Sequence, residues 1–417
     1  METKQLSNPY RAGSGHAPPY LAGRERQLEE FRNLLQMGSQ AQNLILTGLH
    51  GVGKTALTHA MKPLALEVNW LWSYTDFSLS ANITEEGLAE RIITSFAMFC
   101  ADIPMKAEDV NYFGLVPPKA NQACLLNFDH LFSIYDKAPG LIADKLKTVL
   151  ELVWKYIEPK DVKGVALVYD EAQNLSEQAA DYQQPLTALI DVFQPIQEKG
   201  IPFMLVLSGL PTLFPKLVST RRVADSMFRV IHVENLDEKE RREAIIKPIE
   251  DHSSIVQWGE NTIQAISELS MGHPFFIQLI CREIYDISLN PFYADKESVL
   301  SKGIPSKEII QKLNVDFFAD LWSNATSRQQ DVLMVVATLE RCEEEFSVQE
   351  VADKSKDMLD KPLSSSQVNQ LLMKLSQMGL VYKSRYGRYS FAVQLLTQFI
   401  KGHSPILERV EEVSVNV

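Results

Sequence analysis

Between positions 43 and 57 the chain reads Asn-Leu-Ile-Leu-Thr-Gly-Leu-His-Gly-Val-Gly-Lys-Thr-Ala-Leu. An apolar run, Leu44, Ile45 and Leu46, leads into G-x-x-x-x-G-K-T with Gly48, Gly53, Lys54 and Thr55 in the fixed positions, and a helix-compatible run follows. Strand, glycine loop and helix start in that order form the context of a phosphate-binding loop. The glycines let backbone N–H groups turn inward around phosphate oxygens, and the helix N-terminus adds its positive dipole end. Gly48, Gly51, Val52, Gly53, Lys54, Thr55 and Ala56 are the residues expected to cradle the phosphates. Lys54 is expected to reach the outer phosphates, and Thr55 to hold Mg²⁺.

The chain has 417 residues, room for two or three domains. It contains no apolar run of roughly 18 residues, so no membrane span is expected. The first fifteen residues lack the apolar core of a signal peptide. Cys100, Cys124, Cys281 and Cys342 are far apart and show neither disulfide-framework nor zinc spacing. Reduced thiols in the cytoplasm are the expectation. The net charge of −12 argues against a chain coated with nucleic acid, but the charge is uneven. Residues 361–403 carry Lys361, Lys374, Lys383, Arg385, Arg388 and Lys401 and no Asp or Glu, a formal +6 (six minus none). A local reversal of this kind marks a possible binding face.

Residues 1–20 are rich in Gly, Pro and Ser and read as an extended arm. Tyr20-Leu21-Ala22-Gly23-Arg24-Glu25 then opens a helix with Leu28, Phe31, Leu34 and Leu35 on one face. The helix after the phosphate loop is expected to end or kink at Pro63. Residues 70–77 read as a strand, and Asn82 with Glu85 as the capping box of a helix to Cys100. Residues 101–138 read as an irregular insertion, with a helix over 141–157 behind it.

The run 165–169 is apolar throughout and ends in Asp170-Glu171. Buried parallel strands look like this, and ligands bind beyond their carboxyl ends. Asp170 is placed to hold Mg²⁺, and Glu171 to orient or activate water. A further strand, 202–207, ends at Ser208, a candidate contact to that water or to the γ-phosphate. Arg221, Arg222 and Arg229 are candidates for an arginine finger. A short strand over 230–233 follows.

From Leu236 the pattern is helical, with stretches over 238–249, 261–269 and 274–287. Gly272-His273-Pro274 separates the last two, with Pro274 in a permitted first-turn position and His273 either a nucleotide contact or a turn histidine. Residues 288–306 read as a linker and 309–321 as a helix. The stretches 327–339, 347–354 and 365–378 read as three helices, the last ended by Gly379. Residues 380–393 read as a hairpin with Tyr386-Gly387-Arg388 at its tip. Three helices and a hairpin outline a winged helix-turn-helix. Its basic hairpin suits phosphate contact more than its third helix suits base readout.

Gly23-Arg24-Glu25, the loop at 48–55, Asp170-Glu171, Ser208, Gly272-His273-Pro274 and the C-terminal outline occur in one order. In that order the chain resembles a prokaryotic AAA+/STAND-related P-loop ATPase of the origin-recognition-like type. The resemblance implies an α/β fold with a five-stranded parallel sheet of order 5-1-4-3-2, a helical lid and a C-terminal winged helix. It implies an extended arm at 1–20, an ATPase core at 21–235, a lid and linker at 236–306, a winged helix at 307–403 and an acidic tail at 404–417. It also implies Tyr20 and Arg24 near the adenine and Pro274 among the nucleotide contacts. The lid turn departs from origin-type relatives, which carry a sensing arginine there; Arg282 lies further along.

The function expected is Mg²⁺-dependent ATP hydrolysis driving a nucleotide-gated switch, with Glu171, Lys54 and Ser208 as catalytic groups and Thr55 and Asp170 as metal ligands. ATP or ADP is the expected ligand, with double-stranded DNA bound through 361–403. The alternative is a STAND-like switch whose winged helix docks a protein partner or a second copy. A small-molecule kinase fits less well, because it leaves the winged helix without a role.

Overall fold

In the computed structural model the described residues are 7–11, 13, 17–40, 42–77, 83–115, 123–175, 184–220, 224–251, 256, 258–289, 322–340, 345–378, 380–385, 387–391 and 395–403. The chain divides into two compact units. One comprises Arg24–Gly48 and Lys54–Val233; the other comprises Met1–Gly23, Leu49–Gly53 and Glu234–Val417.

The first unit is built on a parallel sheet. Its strands are β1 (Asn43–Thr47), β2 (Trp70–Asp76), β3 (Gly164–Asp170), β4 (Phe203–Gly209) and β5 (Phe228–His232), in the order β2-β3-β4-β1-β5. Read from the other edge, this is 5-1-4-3-2 as expected. Every residue of β1, β3 and β4 is buried, which their unbroken apolar runs require of strands covered on both faces. Register places Leu44 beside Val206 and Arg229, and Tyr169 beside Leu207.

Parallel neighbours need crossovers. After α1 (Glu25–Gln36), α2 (Lys54–Glu67) joins β1 to β2. α3 (Glu85–Cys100), α4 (Ala107–Tyr112), α5 (Phe128–Lys137) and α6 (Ile142–Ile157) lie between β2 and β3. α7 (Pro185–Glu198) joins β3 to β4, and α8 (Leu213–Thr220) and α9 (Ala224–Met227) lead to β5. Phe96, Leu150, Val153, Leu167, Phe193 and Phe203 share the core on one face. Burying each such side chain contributes roughly 1.5–3 kcal/mol.

Several expectations are corrected. α2 does not end at Pro63 but runs through it to Glu67. A proline removes one backbone bond, and the buried face of Met61, Leu64 and Ala65 holds the turn around it. The cap of α3 is Thr84, whose hydroxyl accepts from the Gly87 N–H at 3.0 Å; Asn82 lies outside the described residues. Among its described residues the segment 101–138 is not irregular throughout, since it holds α4 and α5 and Pro104 bridges Leu125. It is fastened to α6 by Asp109, which accepts from Lys155 Nζ at 2.7 Å and from the Tyr156 hydroxyl at 2.5 Å. β4 continues two residues past its expected end, so Ser208 and Gly209 are strand residues.

In the second unit α10 (Glu238–Asp251), α11 (Glu260–Ser270) and α12 (Pro274–Leu289) surround a residue of the N-terminal arm. Tyr10 is 2% exposed, stacks on Trp258 at 5.4 Å and donates its hydroxyl hydrogen to the Ile245 carbonyl. Asn8 Nδ2 donates to the Arg282 carbonyl at 2.9 Å and to Asp286 Oδ1 at 2.8 Å. This part of the arm is therefore docked.

The C-terminal helices are α13 (Ser327–Ala337), α14 (Val348–Met358), α15 (Ser365–Gln377) and α16 (Leu395–His403). Thr326 with Gln329, Ser347 with Glu350 and Ser364 with Gln367 form capping boxes at the starts of α13 to α15. β6 (Phe346–Ser347), β7 (Val381–Arg385) and β8 (Arg388–Phe391) form an antiparallel sheet of order β6-β8-β7. Val332, Leu333, Val368, Leu372, Leu375 and Phe391 pack in its core. The expected helix over 309–321, Gly379, Tyr386 and the acidic tail lie outside the described residues. Among the described residues, no helix is long and apolar enough to cross a membrane.

Candidate functional site

The first unit brings Lys54, Asp170 and Glu171 together at the carboxyl ends of β1 and β3. Lys54 opens α2, is 4% exposed, and donates from Nζ to the Gly48 carbonyl at 3.0 Å. Burial pushes its ammonium pKa down, and the nearby Glu171 and Asp170 carboxylates pull it back up. Asp170, the last residue of β3, is 1% exposed. Its Oδ2 accepts from the Thr55 hydroxyl at 2.6 Å and from the Tyr74 hydroxyl at 3.1 Å. Its Oδ1 accepts from the Glu171 N–H at 3.0 Å. Burial, then the Asp170 carboxylate, raises the Tyr74 phenol pKa, so this hydroxyl stays a donor.

Glu171 sits just past the strand with φ +52°, a left-handed conformation uncommon outside glycine. The bend carries its carboxylate to Gln173, whose Nε2 donates to Glu171 Oε2 while its Oε1 accepts from the Leu210 N–H at 3.1 Å. Gln173 thereby links the acid after β3 to the backbone after β4. Neither Gln173 nor Tyr74 was expected from the sequence. The only local signal is the polar spacing Asp-Glu-Ala-Gln, which does not announce its partner.

Ser208 is the penultimate residue of β4, fully buried and beside Leu46 in register. Tyr169 pairs with Leu207, so the next position along each strand places Ser208 beside Asp170 and on its face of the sheet. Ser208 Oγ and Thr47 Oγ1 are buried without a hydrogen-bond partner among the described residues. Such hydroxyls are uncommon in folded proteins and mark a polar end to an otherwise apolar sheet.

The middle of the glycine loop, Leu49–Gly53, belongs to the second unit. Gly51 and Gly53 have φ +75° and +95°, which is why glycine stands there. His273 Nε2 is 2.9 Å from the His50 carbonyl, and the Phe275 N–H donates to the Gly51 carbonyl at 3.3 Å. Val52 is buried, Pro274 opens α12, and Tyr20 is packed at the edge of that unit's core. In the first unit Arg24 is the residue before α1 and is 4% exposed, while Ala56 lies in the first turn of α2. Arg229 pairs with Glu30 on α1; Arg221 and Arg222 lie outside the described residues. Among the described residues no three His, Cys, Asp or Glu side chains converge as a metal cluster.

Residues 20–210 match the family model described as an AAA ATPase domain. This segment is an AAA+ P-loop ATPase domain. Residues 315–400 match a second family, described as a domain of unknown function, DUF8462. No curated protein matches the sequence. Among solved structures, the chain is similar to the Walker-type ATPase of Pyrococcus abyssi at 15% identity and TM-score 0.56, covering 91% of this chain and 96% of that one. It is also similar to the ORC2 protein of Aeropyrum pernix, solved with ADPNP and ADP, at 14% identity and TM-score 0.50, covering 96% and 98%. At these identities the likeness is one of fold alone. The similarity to nucleotide-binding ATPases is thus carried by residues 20–210.

Proposed function

We propose that this protein binds ATP with Mg²⁺ and hydrolyses it, using nucleotide turnover to switch its helical and C-terminal parts between states. The observation that carries the reading is the convergence of Lys54, Thr55, Asp170 and Glu171 at the ends of β1 and β3. Lys54 stabilises charge on the transferring phosphoryl group. Thr55 and Asp170 offer hard oxygens 2.6 Å apart, a donor set that fits Mg²⁺ bound chiefly by phosphate and water. When bound, that ion neutralises charge on the phosphate oxygens. Glu171 accepts a proton from the attacking water, held in place by Gln173. Ser208 completes the polar lining, and the loop amides from Gly48 to Ala56 hold phosphate oxygens. Following the resemblance, Tyr20 and Arg24 are assigned to the adenine and Pro274 to the nucleotide contacts.

The core is assigned to 21–235, the helical lid and linker to 236–306 and a winged helix to 307–403. Three capped helices and a strand pair of order α13-α14-α15-β7-β8 support the last assignment. DNA is the proposed partner of that element. Its segment 361–403 carries six basic residues and no acid, and the exposed side of α15 offers Asn369, Gln370 and Lys374. A protein-docking switch is the second reading, favoured by Arg388, which is already engaged by Glu350 at 3.1 Å. The free thiols Cys100, Cys124 and Cys281 suit a reducing cytoplasm. ATP turnover with and without duplex DNA at low salt tests both readings. Turnover raised by DNA supports the first, and turnover indifferent to DNA the second.

A further inference from the structure

We propose that His273 is a positioning residue for phosphate binding, setting the direction of the loop amides without touching the nucleotide. The inference rests on the nucleotide-binding reading above and assigns part of that site to a turn far away in sequence.

A carbonyl oxygen only accepts, so His273 Nε2, 2.9 Å from the His50 oxygen, carries the hydrogen. Two residues later the Phe275 N–H donates to the Gly51 carbonyl at 3.3 Å. These two bonds fix two consecutive peptide planes. In a trans peptide the C=O and N–H point in opposite directions, and the plane is rigid. Drawing the His50 and Gly51 carbonyls toward the 273–275 turn therefore directs the Gly51 and Val52 N–H groups away from it. Inward-directed N–H groups are what a phosphate loop needs.

The turn that carries His273 is itself held firmly. Met271 and Gly272 both have positive φ, at +51° and +77°. The Leu236 N–H donates to the Gly272 carbonyl at 2.8 Å, and Arg241 Nε donates to the Leu236 carbonyl at 2.8 Å. The imidazole is 6% exposed and lies 4.8 Å from the Phe276 ring. Approach to the loop is close: a Cβ on Gly51 would stand 2.6 Å from His273 Cε1. Gly51 thus serves two needs, its own left-handed φ and room for this ring.

The test compares ATP with adenosine in titration calorimetry of the full chain. A positioning role acts through the phosphates alone. H273L keeps an apolar side chain against Phe276 and removes the donor. ATP affinity is expected to fall roughly five- to ten-fold, the loss of one hydrogen bond, with adenosine affinity unchanged. H273Q, whose amide reaches the Nε2 position, is expected to restore ATP affinity. Should H273L not fold, H273N and H273Q carry the comparison, since both are polar and only Gln is long enough. Unchanged ATP affinity in H273L or H273N overturns the proposal, as does an equal fall for ATP and adenosine. Wild-type protein that binds no ATP removes the nucleotide reading, and this inference with it.

Discussion

Thr55 and Asp170, 115 positions apart in the chain, are joined by a 2.6 Å hydrogen bond. The bond ties the start of the helix after the glycine loop to the last residue of β3, two places that only the parallel sheet brings together. In this arrangement the hydroxyl already points at the carboxylate with which it would share a metal. D170N keeps the shape but weakens the metal's oxygen donor. We expect ATP turnover to fall on the order of 10²-fold, with the remaining activity needing more Mg²⁺. A magnesium titration of turnover in wild type and D170N checks this; superimposable curves would contradict the assignment.

Glu171 is the proposed base. E171Q is expected to bind ATP as wild type does and to turn over on the order of 10²–10³-fold more slowly. The check is single-turnover hydrolysis beside equilibrium binding, and equal turnover would place the base elsewhere.

Gln173 holds Glu171 from one side and the Leu210 amide from the other. Q173A leaves the phosphate loop intact and releases the carboxylate. The expected result is roughly ten-fold slower turnover with little change in ATP affinity, because a displaced group loses alignment. Loss of affinity without loss of rate would show that Gln173 serves binding instead.

Tyr10 is buried between α10, α11 and α12 with its ring on Trp258. Truncation by Y10A removes a large core side chain and is expected to cost about 3–5 kcal/mol. Thermal unfolding followed by tryptophan fluorescence reads this directly, and an unchanged midpoint would mean the arm contributes no stability.

If the C-terminal unit binds duplex DNA, the logarithm of affinity falls linearly with the logarithm of salt. Neutralising Lys383, Arg385 and Arg388 together should weaken binding and flatten that slope by up to about 3, one phosphate each. DNA binding insensitive to all three would move the contact away from the hairpin.

The phosphate loop and the strand ending in Asp170 were legible because local chemistry dictates them, whereas the sheet order followed only from the family resemblance. A glycine loop needs positive φ at Gly51 and Gly53, and a strand buried on both faces must be apolar until it meets its acid. What was not legible depends on contacts between distant segments. Gln173 matters because Leu210 is beside it, and His273 because His50 is. Helices α2 and α7 contain prolines. Pro63 sits inside α2 without ending it, and α7, which begins at Pro185 and contains Pro195, was not expected at all. In both helices buried apolar faces outweigh the missing backbone donor. Ser208 was read at a strand end because a serine follows an apolar run, and β4 ends one residue beyond it, at Gly209.

The most direct measurement is ATP binding by wild-type protein and K54A, by calorimetry in the presence of Mg²⁺. The account predicts a saturable one-site isotherm for wild type and no measurable binding for K54A, since Lys54 is the buried cation at the loop's end. ATP affinity retained in K54A, or absent from wild type, would contradict it.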